Sequence, residues 1–135
     1  MSREILFRAK RKDNSEWVEG YYRADPDLDI HFICGWDYYS SENGLEREAF
    51  DYEIYSDTLC QYTGLTDKND KKIWENDIVK LPNEDGYFKC EWDEDAAKFV
   101  LNGDGLTVDF DYYYGDECEV IGNIFDNSEL LEVEE

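Results

Sequence analysis

Apolar and polar residues alternate with a period of two along most of this chain. Phe88, Cys90 and Trp92 alternate with Tyr87, Lys89, Glu91 and Asp93. Leu106, Val108 and Phe110 alternate with Thr107, Asp109 and Asp111. Ile30, Phe32, Cys34 and Trp36 alternate with Asp29, His31, Ile33 and Gly35, and Ile5, Phe7 and Ala9 with Leu6, Arg8 and Lys10. In a strand, successive side chains point to opposite faces, so the first set of each pair is expected inside and the second outside.

Turn-forming clusters separate these runs: Asp13-Asn14-Ser15, Asp25-Pro26-Asp27, Glu42-Asn43-Gly44, Asp67 to Asp70, Pro82 to Gly86, Asp93-Glu94-Asp95 and Asn102 to Gly105. Their residues tolerate left-handed backbone or bond their own main chain. Ile73 to Leu81 reads as one strand. Tyr87 to Trp92 returns as a second, and a turn leads into Phe99-Val100-Leu101. That order is similar to SH3-like barrels in topology. Helix is expected in two short places, Leu45 to Phe50 and Asn127 to Val133, the second capped by Asp126 or Ser128. The fold class is therefore mainly β: short antiparallel strands forming a small barrel or a two-lobed barrel-like domain, with a short C-terminal helix. No Pro-rich or Gly/Ser-rich linker divides the 135 residues, so 1–135 is read as one domain, with lobes at 1–58 and 59–135.

Charge changes the picture of partners. Thirty-five acids face thirteen bases, a net charge of −22. Such acidity with low hydropathy occurs in disordered chains, but eleven Tyr, seven Phe and four Trp supply the buriable surface that disordered tails lack. A net-acidic surface repels phosphates, so neither direct nucleic-acid binding nor anionic lipid binding is expected. The clusters that would have to override this are Arg8, Lys10, Arg11, Lys12 and Lys68, Lys71, Lys72. No apolar run approaches the roughly 20 residues that span a bilayer. The charged opening Met1-Ser2-Arg3-Glu4 is unlike a secretory signal, so a cytoplasmic location is expected.

Candidate chemistry is sparse. Cys34, Cys60, Cys90 and Cys118 are dispersed, without zinc spacing, and read as reduced, buried thiols. His31 is the single histidine and reads as structural. Asp25-x-Asp27-x-Asp29 begins like a calcium loop but has Ile30 at the sixth position and Trp36 at the twelfth. Asp93, Asp95, Asp109 and Asp111 are the candidates for metal-assisted hydrolysis, against the expectation that a chain with 35 acids makes such clusters by chance. Gly103-x-Gly105 lacks the rest of a dinucleotide loop. No catalytic, cofactor-binding or metal residue is assigned. Tyr112-Tyr113-Tyr114 points rings to both faces of a strand, and leaves two readings open: an interface between subunits, or a strand buried on both sides.

The stretch from Gln61-Tyr62-Thr63-Gly64-Leu65-Thr66-Asp67-Lys68-Asn69 through Ile73-Trp74-Glu75-Asn76-Asp77-Ile78-Val79 resembles the YopX family of phage and prophage proteins. The opening Arg3 to Ala9 and the closing Val120-Ile121-Gly122-Asn123-Ile124-Phe125-Asp126-Asn127 are similar to that family's start and end. Asp70 and Asn76 stand where the family has glycine, and both side chains tolerate left-handed backbone, so turns are expected there.

The resemblance implies a mostly β fold, a homo-oligomer that reaches a decamer, and a bacterial host cytoplasm. It carries no catalytic residues. The expectation is an accessory protein that is not an enzyme, has no cofactor and binds itself and a host or phage protein. The alternatives are an acidic DNA mimic that inhibits a nucleic-acid-binding enzyme, and a metal-dependent hydrolase.

Overall fold

The computed structural model describes residues 5–82, 84–103, 106–109 and 117–131. It contains β1 (Phe7–Lys10), β2 (Trp17–Asp25), β3 (Ile30–Ser41), β4 (Gly44–Glu53), β5 (Cys60–Thr66), β6 (Lys72–Trp74), β7 (Asp77–Lys80), β8 (Phe88–Asp93), β9 (Lys98–Gly103), β10 (Leu106–Asp109) and β11 (Glu119–Asn123). The strands form two open antiparallel sheets, in the orders β4-β3-β2-β1-β5-β6 and β10-β9-β8-β7-β11. The mainly β expectation holds, but neither sheet closes into a barrel: each described order ends in two edge strands, each paired on one side.

The chain divides into two compact units, one of Glu4–Gln61 and one that begins at Tyr62. In the first, Trp17 to Gly20 of β2 pair with β1, and Tyr21 to Asp25 pair with β3. The change of partner falls beside Gly20, where a Cβ would lie 2.4 Å from the Cys34 carbonyl oxygen. Glycine is required there by close backbone approach. Beyond Cys34, β3 pairs with β4 and with no other strand among the described residues, from Gly35↔Phe50 to Ser41↔Gly44. The β3–β4 hairpin therefore runs past β2 as a two-stranded ribbon. The core of this unit is Ala9, Ile33 and Ile54, with Phe7, Val18, Tyr22, Phe50 and Leu59 packed on it.

In the second unit, Ile73, Val79, Leu81, Phe88, Cys90, Phe99, Leu101 and Cys118 make one apolar cluster. Apolar faces of β6 to β9 meet there, as alternation predicts for Phe88 and Cys90. Asp67 is buried at its margin. Its Oδ1 accepts the N–H of Asn69 and of Lys71, each at 2.9 Å, and its Oδ2 accepts the N–H of Val120 at 2.9 Å.

Three local expectations are corrected. Ile73 to Leu81 is two strands, because Asn76 adopts φ +70° and the Asp77 carboxylate accepts the Trp74 N–H at 2.8 Å. The left-handed turns expected at Asp70 and Asn76 are both present. Leu45 to Phe50 is part of β4, since each residue has a cross-strand partner on β3 and the segment is too short to bury a helical face. The C-terminal helix is only a 3-10 turn over Ser128–Leu131, built on Asn123, whose Oδ1 accepts the N–H groups of Phe125 and Asp126.

Candidate interaction surface

The face of β3 that the alternation places inside is the one that meets solvent. Ile33, from the expected outer set, is fully buried against Ala9 and Ile54. Trp36, from the expected inner set, is 45% exposed. Register extends this face across three strands: Tyr21 lies opposite Cys34, Arg23 opposite Phe32, Ala49 opposite Trp36, Arg47 opposite Tyr38, and Leu45 opposite Ser40. Tyr21, Tyr38 and Leu45 are 59%, 63% and 73% exposed.

Cations lie over the rings of this face. The Arg47 guanidinium sits 3.9 Å from the Trp36 ring centre, and that of Arg23 4.1 Å from Phe32. On the neighbouring stretch of the same face, Arg8 lies 4.5 Å and Lys10 5.4 Å from the ring of Trp17. The basic cluster near the start is thus partly spent on aromatic rings. Arg23 also pairs with Asp51 at 2.5 Å. The opposite face of the ribbon is acidic, with Asp37 beside Glu48 and Glu46 beside Tyr39.

An open cavity of about 500 Å³ occupies the place where β3 leaves β2, lined in part by Trp17, Glu19, Tyr21, Trp36, Asp37 and Phe50. A second concavity, of about 440 Å³, lies on the ribbon itself, among Tyr38, Tyr39, Leu45, Glu46 and Arg47. Both are open and ring-lined, and neither brings together a nucleophile and a base.

His31 takes part in the one acid–imidazole–phenol chain of the described residues. The Tyr22 hydroxyl lies 2.6 Å from Nδ1, and Nε2 lies 2.8 Å from Asp29 Oδ1. A neutral ring satisfies both contacts by accepting from Tyr22 and donating to Asp29. Neither His31 nor Tyr22 lines the two cavities, and the chain ties the β2–β3 turn together.

The carboxylates singled out in the sequence serve turns and ion pairs. Asp25 Oδ1 accepts the N–H of Asp27 and Leu28, and Asp93 Oδ1 those of Asp95 and Ala96. Asp109 pairs with Lys98 at 2.7 Å. Asp111 and Tyr112, Tyr113 and Tyr114 lie outside the described residues. Among the described residues no three His, Cys, Asp or Glu side chains group as a metal site, and no helix is long and apolar enough to cross a membrane.

None of the four cysteines is in a disulfide. Cys60, Cys90 and Cys118 are buried as expected, whereas Cys34 is half-exposed because it belongs to the open face of β3. Burial raises the Cys90 thiol well above its ordinary range, and burial with the nearby Asp67 charge pushes Cys118 up to about 12. Such thiols are poor nucleophiles.

The sequence model of the family described as YopX protein matches residues 6–132. No curated protein matches the chain. Among solved structures it is similar to protein EF1440 from Enterococcus faecalis, at 26% identity and a TM-score of 0.65, with 97% of this chain and 100% of that chain covered.

Proposed function

Since the chain belongs to the YopX protein family, we propose that it is a phage- or prophage-encoded accessory protein that acts by binding: a non-enzymatic, self-associating module that engages a host or phage protein in the bacterial cytoplasm. The observation that carries this reading is the uncovered aromatic face of β3 and β4, with Trp36, Tyr38 and Leu45 in solvent. Soluble monomers rarely leave a contiguous apolar patch of this kind without a partner for it. Aromatic and arginine side chains together are the composition of binding hot spots.

Native mass spectrometry of the purified protein tests the self-association. Discrete assemblies, up to a decamer, support the reading, and a strict monomer at high concentration contradicts it. A second reading draws on charge: residues 62–135 carry 21 acids against 6 lysines. A DNA mimic would compete with DNA for a nucleic-acid-binding enzyme, and salt would weaken that competition.

A further inference from the structure

The open cavity where β3 leaves β2 is walled by aromatic rings and by carboxylates. Resting on the proposed function and deepening it, we propose that this cavity receives an arginine side chain of the partner protein. Three observations select that occupant.

The first is charge. Among the described residues, the charged groups that line the cavity are Glu19 and Asp37, both acids. Asp37 also stands directly opposite Glu48 on β4, and neither of these two carboxylates has a hydrogen bond or ion pair among the described residues. Like charges at opposed strand positions are destabilising. A cation brought to Asp37 turns that repulsion into attraction.

The second is the rings. Trp17, Tyr21, Trp36 and Phe50 line the same cavity. Ring faces attract cations, and guanidinium groups most often. Rings of this region already do so within the chain: Arg47 lies 3.9 Å from Trp36, Arg8 4.5 Å from Trp17 and Arg11 3.6 Å from Tyr52. None of these three arginines lines the cavity, so the ring surface turned towards it is not the one they cover. A planar guanidinium suits such a site, because it stacks on a ring and donates to a carboxylate at once.

The third is shape. The cavity measures about 500 Å³ but stands open to solvent. A free small ligand is held by burying most of its surface, which an open cavity does not do. An arginine carried on a protein arrives with a body that also covers Tyr38 and Leu45, exposed further along the ribbon. The net charge of −22 draws basic partners towards the chain from a distance.

The test is a fluorescence titration of the dilute full chain, in which Trp17 and Trp36 report binding. The probes are an amidated Leu-Ala-Arg-Ala-Leu peptide, its citrulline counterpart, which keeps the shape without the charge, and ethylguanidinium as the bare head group. The arginine peptide is expected to bind, and the citrulline peptide to bind about tenfold more weakly. Trp36→Ala and Asp37→Asn are each expected to weaken the arginine peptide by about fivefold. Glu84→Gln, a control on an exposed acid of the other unit, should leave it within about twofold. Asp37→Asn is also expected to raise the melting temperature of the unliganded chain, since it removes the opposition to Glu48, which separates lost binding from lost folding. Equal binding of the two peptides, or equal effects of Asp37→Asn and Glu84→Gln, overturns the inference. Ethylguanidinium that binds as tightly as the arginine peptide assigns the cavity to a free cation and overturns the partner-protein occupant. A wild type that does not bind the peptide overturns the inference and leaves the self-association reading standing. A strict monomer that takes the peptide contradicts self-association and leaves the inference standing.

Discussion

The Asp67 carboxylate holds the backbone N–H of Val120, 53 residues away in sequence, at 2.9 Å, while its other oxygen closes the Asn69–Lys71 turn. One buried side chain thereby joins the loop after β5 to the start of β11. Asp67→Asn replaces an acceptor-only group with an amide that cannot accept at both ends. A loss of about 1–3 kcal/mol is expected, the range for leaving buried donors unsatisfied. Urea unfolding of the two proteins at pH 7 checks it through a lower midpoint at unchanged slope.

The same carboxylate makes stability pH-dependent. Burial works against its charge, but the N–H groups of Val120, Lys71 and Asn69 outweigh that effect and hold its carboxyl below the usual range. The folded value lies below the unfolded one, so the stabilisation is present above the unfolded value of about 4 and is lost as pH falls through the folded value. The gap in urea midpoint between wild type and Asp67→Asn should hold from pH 7 to pH 5 and shrink below about pH 4. A gap that does not change over that range would assign the stabilisation to something other than the charge.

Gly20 marks the point where β2 exchanges β1 for β3. Gly20→Ala puts a methyl group 2.4 Å from the Cys34 carbonyl oxygen, a backbone atom that cannot step aside. Forced overpacking of this kind costs about 1–3 kcal/mol. A drop in melting temperature is expected for Gly20→Ala. Gly44→Ala also strains a positive φ but meets no atom within 4 Å, so its drop should be smaller.

Asn76 separates β6 from β7 at φ +70°. Its N–H donates to the Cys90 carbonyl at 2.7 Å, and its own carbonyl accepts from the Ile124 N–H at 3.1 Å. Asn76→Gly keeps the left-handed backbone and should lose less stability than a branched replacement. Asn76→Val, with a branched side chain in the left-handed region, should lose about 1–2 kcal/mol. Chemical denaturation of the pair gives the comparison.

Much of the fold is legible in local chemistry. Period-two alternation gives the strands of both units, and Asp70 and Asn76 announce their left-handed turns. What local pattern does not give is which face of β3 turns inward. Phe32, Cys34 and Trp36 outweigh Ile33 in apolar area, yet Ile33 is the residue that Ala9 and Ile54 enclose. Those partners come from β1 and from beyond β4, and no window around β3 contains them. The interaction surface is hidden from the local pattern for the same reason: an apolar set on a strand reads as core unless something else already fills the core. The sequence does hold one signal for it, since arginines at Arg23 and Arg47 fall on strand positions that face Phe32 and Tyr38.

Hydroxyl-radical footprinting across a dilution series tests most directly whether this aromatic face is covered by a second copy. Labelling of Trp36 and Tyr38, both exposed in the single chain, should be weak in concentrated protein and rise several-fold on dilution. Equal labelling of Trp36 and Tyr38 at every concentration would contradict the account.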